Sequence, residues 1–271
     1  MNLSGSIALV TGAGSGLGRS LALQLATECS TVWVTDQSED GAEAVAAEIR
    51  ANGGTARTRT LDVSSWQAWR ETRDQVGQVD ILVNNAGVAN IGPLLASDEH
   101  EWDRQININL MGVVRGSRMF VPGMVERGSG QVLNIASMAG LLPASGMISY
   151  HTAKAAVVSF SEALRIEVAL DGVGVSVCCP AFFRTNLTDS MEGTSPATVA
   201  RIQKLMDQSP LTADDVARAC IEAMERNELL VIPHRKLRPL WVLRRLFPTR
   251  YRKRLIAQER SRRAKRLARE S

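Results

Sequence analysis

The sequence predicts an α/β protein built on one doubly wound parallel sheet. Three features carry that prediction. Short apolar runs recur along the chain, each is followed by a segment with apolar residues at helical spacing, and the first run hands over to a glycine-rich turn. Strands that alternate with helices must return to the same edge direction, which gives a parallel sheet covered on both faces.

In chain order, residues 7–13 (IALVTGA) predict a strand that enters a turn, and 17–28 (LGRSLALQLATE) a helix. TVWVTD at 31–36 precedes a helical EDGAEAVAAEIRA at 39–51, and RTRTLDV at 57–63 precedes SSWQAWRETRDQV. VDILVNNAG at 79–87 leads into a long helical region from about 98 to 127. GQVLNIAS (130–137) and VGVSVCCP (173–180) flank a helix containing YHTAK at 150–154, and LLVIP (229–233) closes the series. No Ser-rich or Pro-rich linker interrupts residues 1–234, which predicts one domain there and a separate basic amphipathic extension over 235–271.

With 271 residues, 45% hydrophobic and 22% charged, the composition is that of a globular chain and excludes global disorder. No apolar run reaches the roughly 18–20 residues needed to span a bilayer, and the N-terminus lacks a signal-peptide pattern. The expected location is the cytoplasm. Cys29, Cys178, Cys179 and Cys220 have neither zinc-ligand nor disulfide spacing and are expected as buried thiols. The net charge of +4 is unevenly distributed. Residues 235–271 hold fifteen of the 32 Lys and Arg but only Glu259 and Glu270 among the acids, so a basic tail follows an acidic body.

TGAGSGLG, residues 11–18, falls where the first strand should meet the first helix. Glycines there permit positive φ and let backbone amides and the helix dipole approach a pyrophosphate. Gly12, Ser15, Gly16, Leu17 and Gly18 are therefore candidate cofactor residues. Asp36, eighteen residues beyond Gly18, ends the second strand, where a carboxylate accepts hydrogen bonds from ribose hydroxyls and repels a 2′-phosphate. Neither Ser15 nor Gln37 brings positive charge, which favours NAD over NADP.

Tyr150 and Lys154 stand one helical turn apart on one face. A free phenol has a pKa near 10 and is about one part in a thousand ionised at pH 7. A neighbouring ammonium favours the phenolate, so the pair is expected to yield a phenol that exchanges a proton near neutral pH. Ser137, at the end of the fifth strand, can donate a hydrogen bond to a carbonyl or alkoxide oxygen. His100, His151 and His234 lack a ligand cluster and are assigned surface or packing roles.

TGAGSGLG, NNAG at 84–87, Ser137 and Tyr150-x-x-x-Lys154, in this order over residues 5–234, closely resemble the short-chain dehydrogenase/reductase superfamily. The resemblance implies a Rossmann domain, a nicotinamide cofactor and a homotetramer or homodimer. It implies catalytic roles for Ser137, Tyr150 and Lys154, and for Asn109, whose helix irregularity would hold a water leading protons away from Lys154. It further implies that Asp62 and Val63 flank the adenine, that Asn85, Ala86 and Gly87 line the cofactor, and that Lys154 grips the nicotinamide ribose. Pro180 and Phe183 would line the nicotinamide end, with Thr185 on its carboxamide. Pro180-Ala181 departs from the usual Pro-Gly of that family.

The expected activity is NAD(H)-dependent interconversion of a hydrophobic secondary alcohol and its ketone. A cofactor-binding scaffold or regulator acting through the basic tail is the alternative. Phe182, Phe183, Leu187, Met191, Met138, Leu141 and Leu142 either form an apolar substrate wall or pack the lid, with Arg184 the one cation nearby. For the tail, an interfacial anchor on anionic lipid and docking on the acidic body of its own or a neighbouring subunit rank equally. Nucleic-acid binding ranks below both, because aromatic interleaving is thin.

Overall fold

A computed structural model describes residues 3–90, 92–185, 191 and 196–270. Seven parallel strands form one sheet in the order β3-β2-β1-β4-β5-β6-β7. They are β1 Ile7–Thr11, β2 Thr31–Asp36, β3 Ala56–Thr60, β4 Ile81–Asn84, β5 Gly130–Ile135, β6 Val173–Cys178 and β7 Leu230–Val231. The order reverses between β1 and β4, which register Ala8 against Ile81 and Val10 against Val83. Chains leave this point toward opposite sides, so a crevice opens at the carboxyl ends of the strands.

The connecting helices are α1 Gly16–Leu25, α2 Glu39–Ala51, α3 Trp66–Val76, α4 Glu99–Ile106, α5 Gly112–Arg127, α6 Met138–Leu141, α7 Ile148–Val168, α8 Pro196–Asp207 and α9 Ala213–Glu225. Their starts follow local chemistry. Ser38 accepts from the Gly41 amide at 3.1 Å, and Glu39 and Asp40 stand in the first turn of α2 against the helix dipole. Thr212 and Asp215 form a reciprocal capping box at α9.

The sheet separates two apolar layers. On one face Leu21, Leu25, Ile49 and Met224 pack beneath α1, α2 and α9. On the other, Trp69, Phe120 and Met124 from α3 and α5 cover Leu9, Leu82 and Val132. Trp69 is fully buried, meets Phe120 edge-on with centroids 6.3 Å apart, and donates Nε1–H to the Val63 carbonyl at 3.1 Å. A polar line crosses the layers. Asn84 Nδ2 donates to Asn134 Oδ1 at 2.9 Å, and Asn134 Nδ2 donates to Ser161 Oγ at 2.9 Å, joining β4, β5 and α7.

The helical region from 98 to 127 carries the irregularity that the resemblance implies at Asn109: a π turn over Asn107–Met111 separates α4 from α5. One expectation is corrected by the backbone. Asp62 and Val63 lie beyond β3, which ends at Thr60. The extension begins with a turn at Arg235–Leu237 and forms α10 Arg238–Leu246 and α11 Pro248–Glu270. It folds back on the body. Leu237 and Trp241 pack against the layer that contains Met138, Leu141 and Val158, the Arg244 guanidinium donates to the Leu141 carbonyl, and Ser145 Oγ donates to Glu259 at 2.7 Å.

Because Trp69 fills the contact between α3 and α5, Trp69→Ala is expected to lower unfolding free energy by about 3–5 kcal/mol, read from urea denaturation.

Candidate active site

The β1–α1 turn is shaped by backbone crowding. Gly12 has φ +61° and Gly16 φ +52°, a region that disfavours side chains. A Cβ on Gly12 would also stand 2.8 Å from Ala86 Cα. One on Gly18 would overlap the Gly12 carbonyl oxygen and lie 2.5 Å from Asn85 Nδ2. Thr11 and Asn85 hold this turn to the end of β4. Asn85 Nδ2 donates to the Thr11 and Gly12 carbonyls at 2.9 and 3.0 Å, and the Asn85 and Ala86 amides donate to Thr11 Oγ1 at 2.9 and 3.0 Å.

Asp36 faces the turn from the end of β2. Its Oδ2 accepts from the Gly14 amide at 2.9 Å and its Oδ1 from the Ser38 amide at 3.0 Å. Two carboxylate oxygens retain lone pairs after these bonds.

Tyr150 and Lys154 project from α7 toward the end of β5 and are 7% and 4% exposed. Lys154 Nζ donates to the Ile135 carbonyl at 2.9 Å and lies 5.9 Å from the Tyr150 ring centroid. Burial pushes Lys154 down to about 8. Burial also pushes the Tyr150 phenol up, opposed by its hydrogen bond with Ser137. The expected lowering of the phenol by its lysine is therefore not what the geometry produces. Desolvation dominates, and the ammonium is committed to a backbone carbonyl.

Ser137 is the N-cap of α6, accepting from the Ala139 amide at 3.1 Å. Its hydroxyl also lies 3.5 Å from the Pro180 carbonyl oxygen. Asn109 sits within the π turn, fully buried. Its amide accepts from the Val88 N–H at 3.1 Å and donates to the Val88 carbonyl at 2.9 Å and Gln105 Oε1 at 2.7 Å. A Cβ on Gly87 would stand 2.8 Å from Asn109 Oδ1 and 3.3 Å from Lys154 Nζ, so only glycine lets these groups converge.

One cavity of about 740 Å³ runs from the glycine turn to Tyr150. Gly12, Ser15, Gly16, Leu17, Asp36, Asp62, Val63, Asn85, Ala86, Gly87, Asn109, Ser137, Tyr150, Lys154, Pro180, Phe183 and Thr185 all line it. Gly18 stands behind the turn, against Gly12 and Asn85. The glycine cradle, the Asp36 carboxylate and a cavity in the upper range of ligand sites fit an extended dinucleotide.

Several contributors carry no local signal in the sequence. Gln105 and Leu237 are examples, and Leu237 brings the extension into the cavity wall. His151 is buried at the cavity rim. Its Nε2 accepts from the Ala144 amide at 3.2 Å, so Nδ1 carries the proton and donates to the Ala139 carbonyl at 2.6 Å. Burial lowers its pKa and keeps it neutral. The Ala181 amide donates to His234 Nδ1 at 3.2 Å, which anchors the segment where this chain departs from Pro-Gly. All four cysteines are buried free thiols. Arg184 pairs with Asp207 at 3.0 Å, and the arginine that reaches the cavity wall is Arg104. Leu187 lies outside the described residues.

Residues 6–195 match the short chain dehydrogenase family. The chain is 37% identical over 232 residues to the probable oxidoreductase EphD of Mycobacterium tuberculosis, covering 81% of this chain and 39% of that protein. It thus spans about two fifths of the length of this relative. It is 36% identical over 200 residues to the 3-oxoacyl-[acyl-carrier-protein] reductase FabG of Escherichia coli, covering 73% of this chain and 82% of that one. Among solved structures, a short chain dehydrogenase/reductase from Burkholderia phymatum in complex with NAD superposes with TM-score 0.85 and 30% identity, over 90% of this chain and 94% of the other. The chain belongs to the short chain dehydrogenase family. That is a family of oxidoreductases acting on alcohol and carbonyl groups with a nicotinamide cofactor on a Rossmann-like sheet.

Gly12→Ala is expected to abolish the fluorescence enhancement of NADH on binding while leaving far-UV circular dichroism unchanged, because the added methyl group meets Ala86 where the backbone must admit the dinucleotide.

Proposed function

We propose that the protein is an NAD(H)-dependent oxidoreductase that interconverts a hydrophobic secondary alcohol and its ketone, with Tyr150 as acid and base. The observation that carries this reading is the buried phenol of Tyr150, hydrogen-bonded to Ser137 and one helical turn from the Lys154 ammonium, at one end of a cavity whose other end is the glycine turn.

The bound nicotinamide accepts a hydride from the alcohol carbon or returns one to the ketone. In oxidation the carbon–hydrogen bond breaks with its electron pair, and the hydroxyl proton passes to Tyr150. In reduction the phenol gives its proton to the nascent alkoxide. Ser137 donates to the same oxygen and stabilises the charge that develops there. Lys154 supports the phenolate through its positive charge and is poised to hold the nicotinamide ribose. Asn109 fixes the segment carrying Gly87, which leaves room beside Lys154 for that ribose.

NAD is favoured by Asp36, whose carboxylate accepts from ribose hydroxyls and repels a 2′-phosphate. The substrate end is apolar. Met138, Leu142, Phe182, Phe183, Met191 and Met206 line it, and Arg184 is occupied by Asp207. These walls favour a bulky hydrophobic carbonyl compound over a sugar phosphate.

Asp36→Ala is expected to weaken NADH binding and narrow its advantage over NADPH, in fluorescence titrations with both. Tyr150→Phe is expected to lower turnover of an apolar ketone panel roughly 10²–10⁴-fold with NADH affinity retained. Retained turnover would overturn the assignment. In the wild type the raised phenol favours the protonated acid, so ketone reduction should persist through neutral pH. It should decline above about pH 8, where Lys154 loses its charge. Alcohol oxidation, which needs both the phenolate and the Lys154 charge that supports it, should rise with pH toward about 8 and fall beyond it, as read from kcat/KM profiles.

A further inference from the structure

The extension rests on the body through apolar packing and hydrogen bonds, with Arg245, Arg250, Arg252, Lys253 and Arg254 left exposed. Trp241 packs inward with Leu237, Arg244 meets the Leu141 carbonyl, and Tyr251 is buried. Among the described residues, no ion pair joins a cation of the extension to an acid of the body; Arg263 pairs with Glu259 inside α11. Among the described residues, the contacts that hold this segment on the body are hydrogen bonds and apolar packing.

Opposite the packed side, α10 presents apolar residues to solvent. Val242, Leu243, Leu246 and, just beyond the helix, Phe247 are 43%, 44%, 67% and 45% exposed. At 100° per residue Val242, Leu246 and Leu243 fall on one arc, with Arg238 and Arg245 along its margin. The exposed cations Arg250, Arg252, Lys253 and Arg254 follow directly in α11. An outward apolar arc bordered by cations is the construction that enters a lipid headgroup region, with aliphatic side chains beneath and basic groups at phosphate level. A second copy of the same face would bring two cationic margins together, which opposes self-association. No helix among the described residues is long and apolar enough to cross a membrane, so contact at the surface is the mode this segment can support.

We propose that α10 and the start of α11 form an interfacial platform that docks the protein on anionic phospholipid. Leu237, immediately before α10, lines the substrate end of the cavity. Docking therefore sets that end beside the phase in which hydrophobic molecules partition. The proposal concerns the surface alone and does not depend on the reaction assigned to the cavity.

The test is flotation of the full chain with vesicles of phosphatidylcholine alone and of equal parts phosphatidylcholine and phosphatidylglycerol. The wild type is expected to float with the anionic vesicles only. Leu246→Glu, an exposed position, should stay at the bottom while retaining NADH fluorescence enhancement, which reports folding. Arg245→Gln with Arg250→Gln should lower the partition coefficient about thirtyfold, from roughly a fivefold step per cation. Any of four results overturns the proposal: no flotation with either vesicle, equal flotation with both, a Leu246→Glu variant that floats like the wild type, or absence of flotation together with concentration-dependent self-association or RNA binding that Leu246→Glu removes.

Discussion

The buried ammonium of Lys154 is the constraint around which the site is built. A cation at 4% exposure is unfavourable without a partner, and its hydrogen bond to the Ile135 carbonyl offsets part of that desolvation. The carbonyl belongs to the last residue of β5, so the bond sets α7 against the sheet at a defined height. Tyr150, one turn earlier on α7, is then placed beside Ser137, which follows β5 by two residues. The same ammonium requires open space at Gly87, and the π turn that carries Asn109 grips Val88 to keep that segment in position. One charge thus links a strand end, a helix and an irregular turn.

The proton chemistry follows from this burial rather than from helical spacing alone. An ammonium four residues from a phenol lowers its pKa only when its field exceeds the penalty for removing the phenolate from water. Here Lys154 faces a backbone carbonyl and Tyr150 is almost fully enclosed, so desolvation prevails and the phenol is held as an acid. That state matches the needs of carbonyl reduction, in which the residue must begin with its proton.

What was legible in the sequence was local. The second strand and its helix, Thr31–Asp36 and Glu39–Ala51, follow directly from the apolar pattern. The glycine turn declares itself because positive φ and close approach both exclude side chains. Illegible parts are those made by distant partners. The irregularity at Asn109 follows from the family resemblance, but the clamp it makes on Val88 and Gln105 shows only in the folded chain. The line from Asn84 through Asn134 to Ser161 spans three elements whose adjacency comes from strand order. His151, assigned a surface or packing role, is buried, and the partners of its two ring nitrogens, which fasten the loop between Ala139 and Ala144, show only in the folded chain.

The C-terminal extension shows how a charge imbalance and a packing surface can be separate properties of one segment. Attraction between a basic tail and an acidic body acts at long range and favours encounter, but it is weak at contact between solvated side chains. The contacts that hold α10 and α11 are instead short-range: the indole of Trp241 in an apolar layer, the Arg244 guanidinium on the Leu141 carbonyl, and the Ser145 hydroxyl on Glu259. All three fall on or beside the segment from Met138 to Ser145 that follows Ser137. Residues beyond the sheet therefore help shape the cavity, which Leu237 lines, while Arg245, Arg250, Arg252, Lys253 and Arg254 stay exposed.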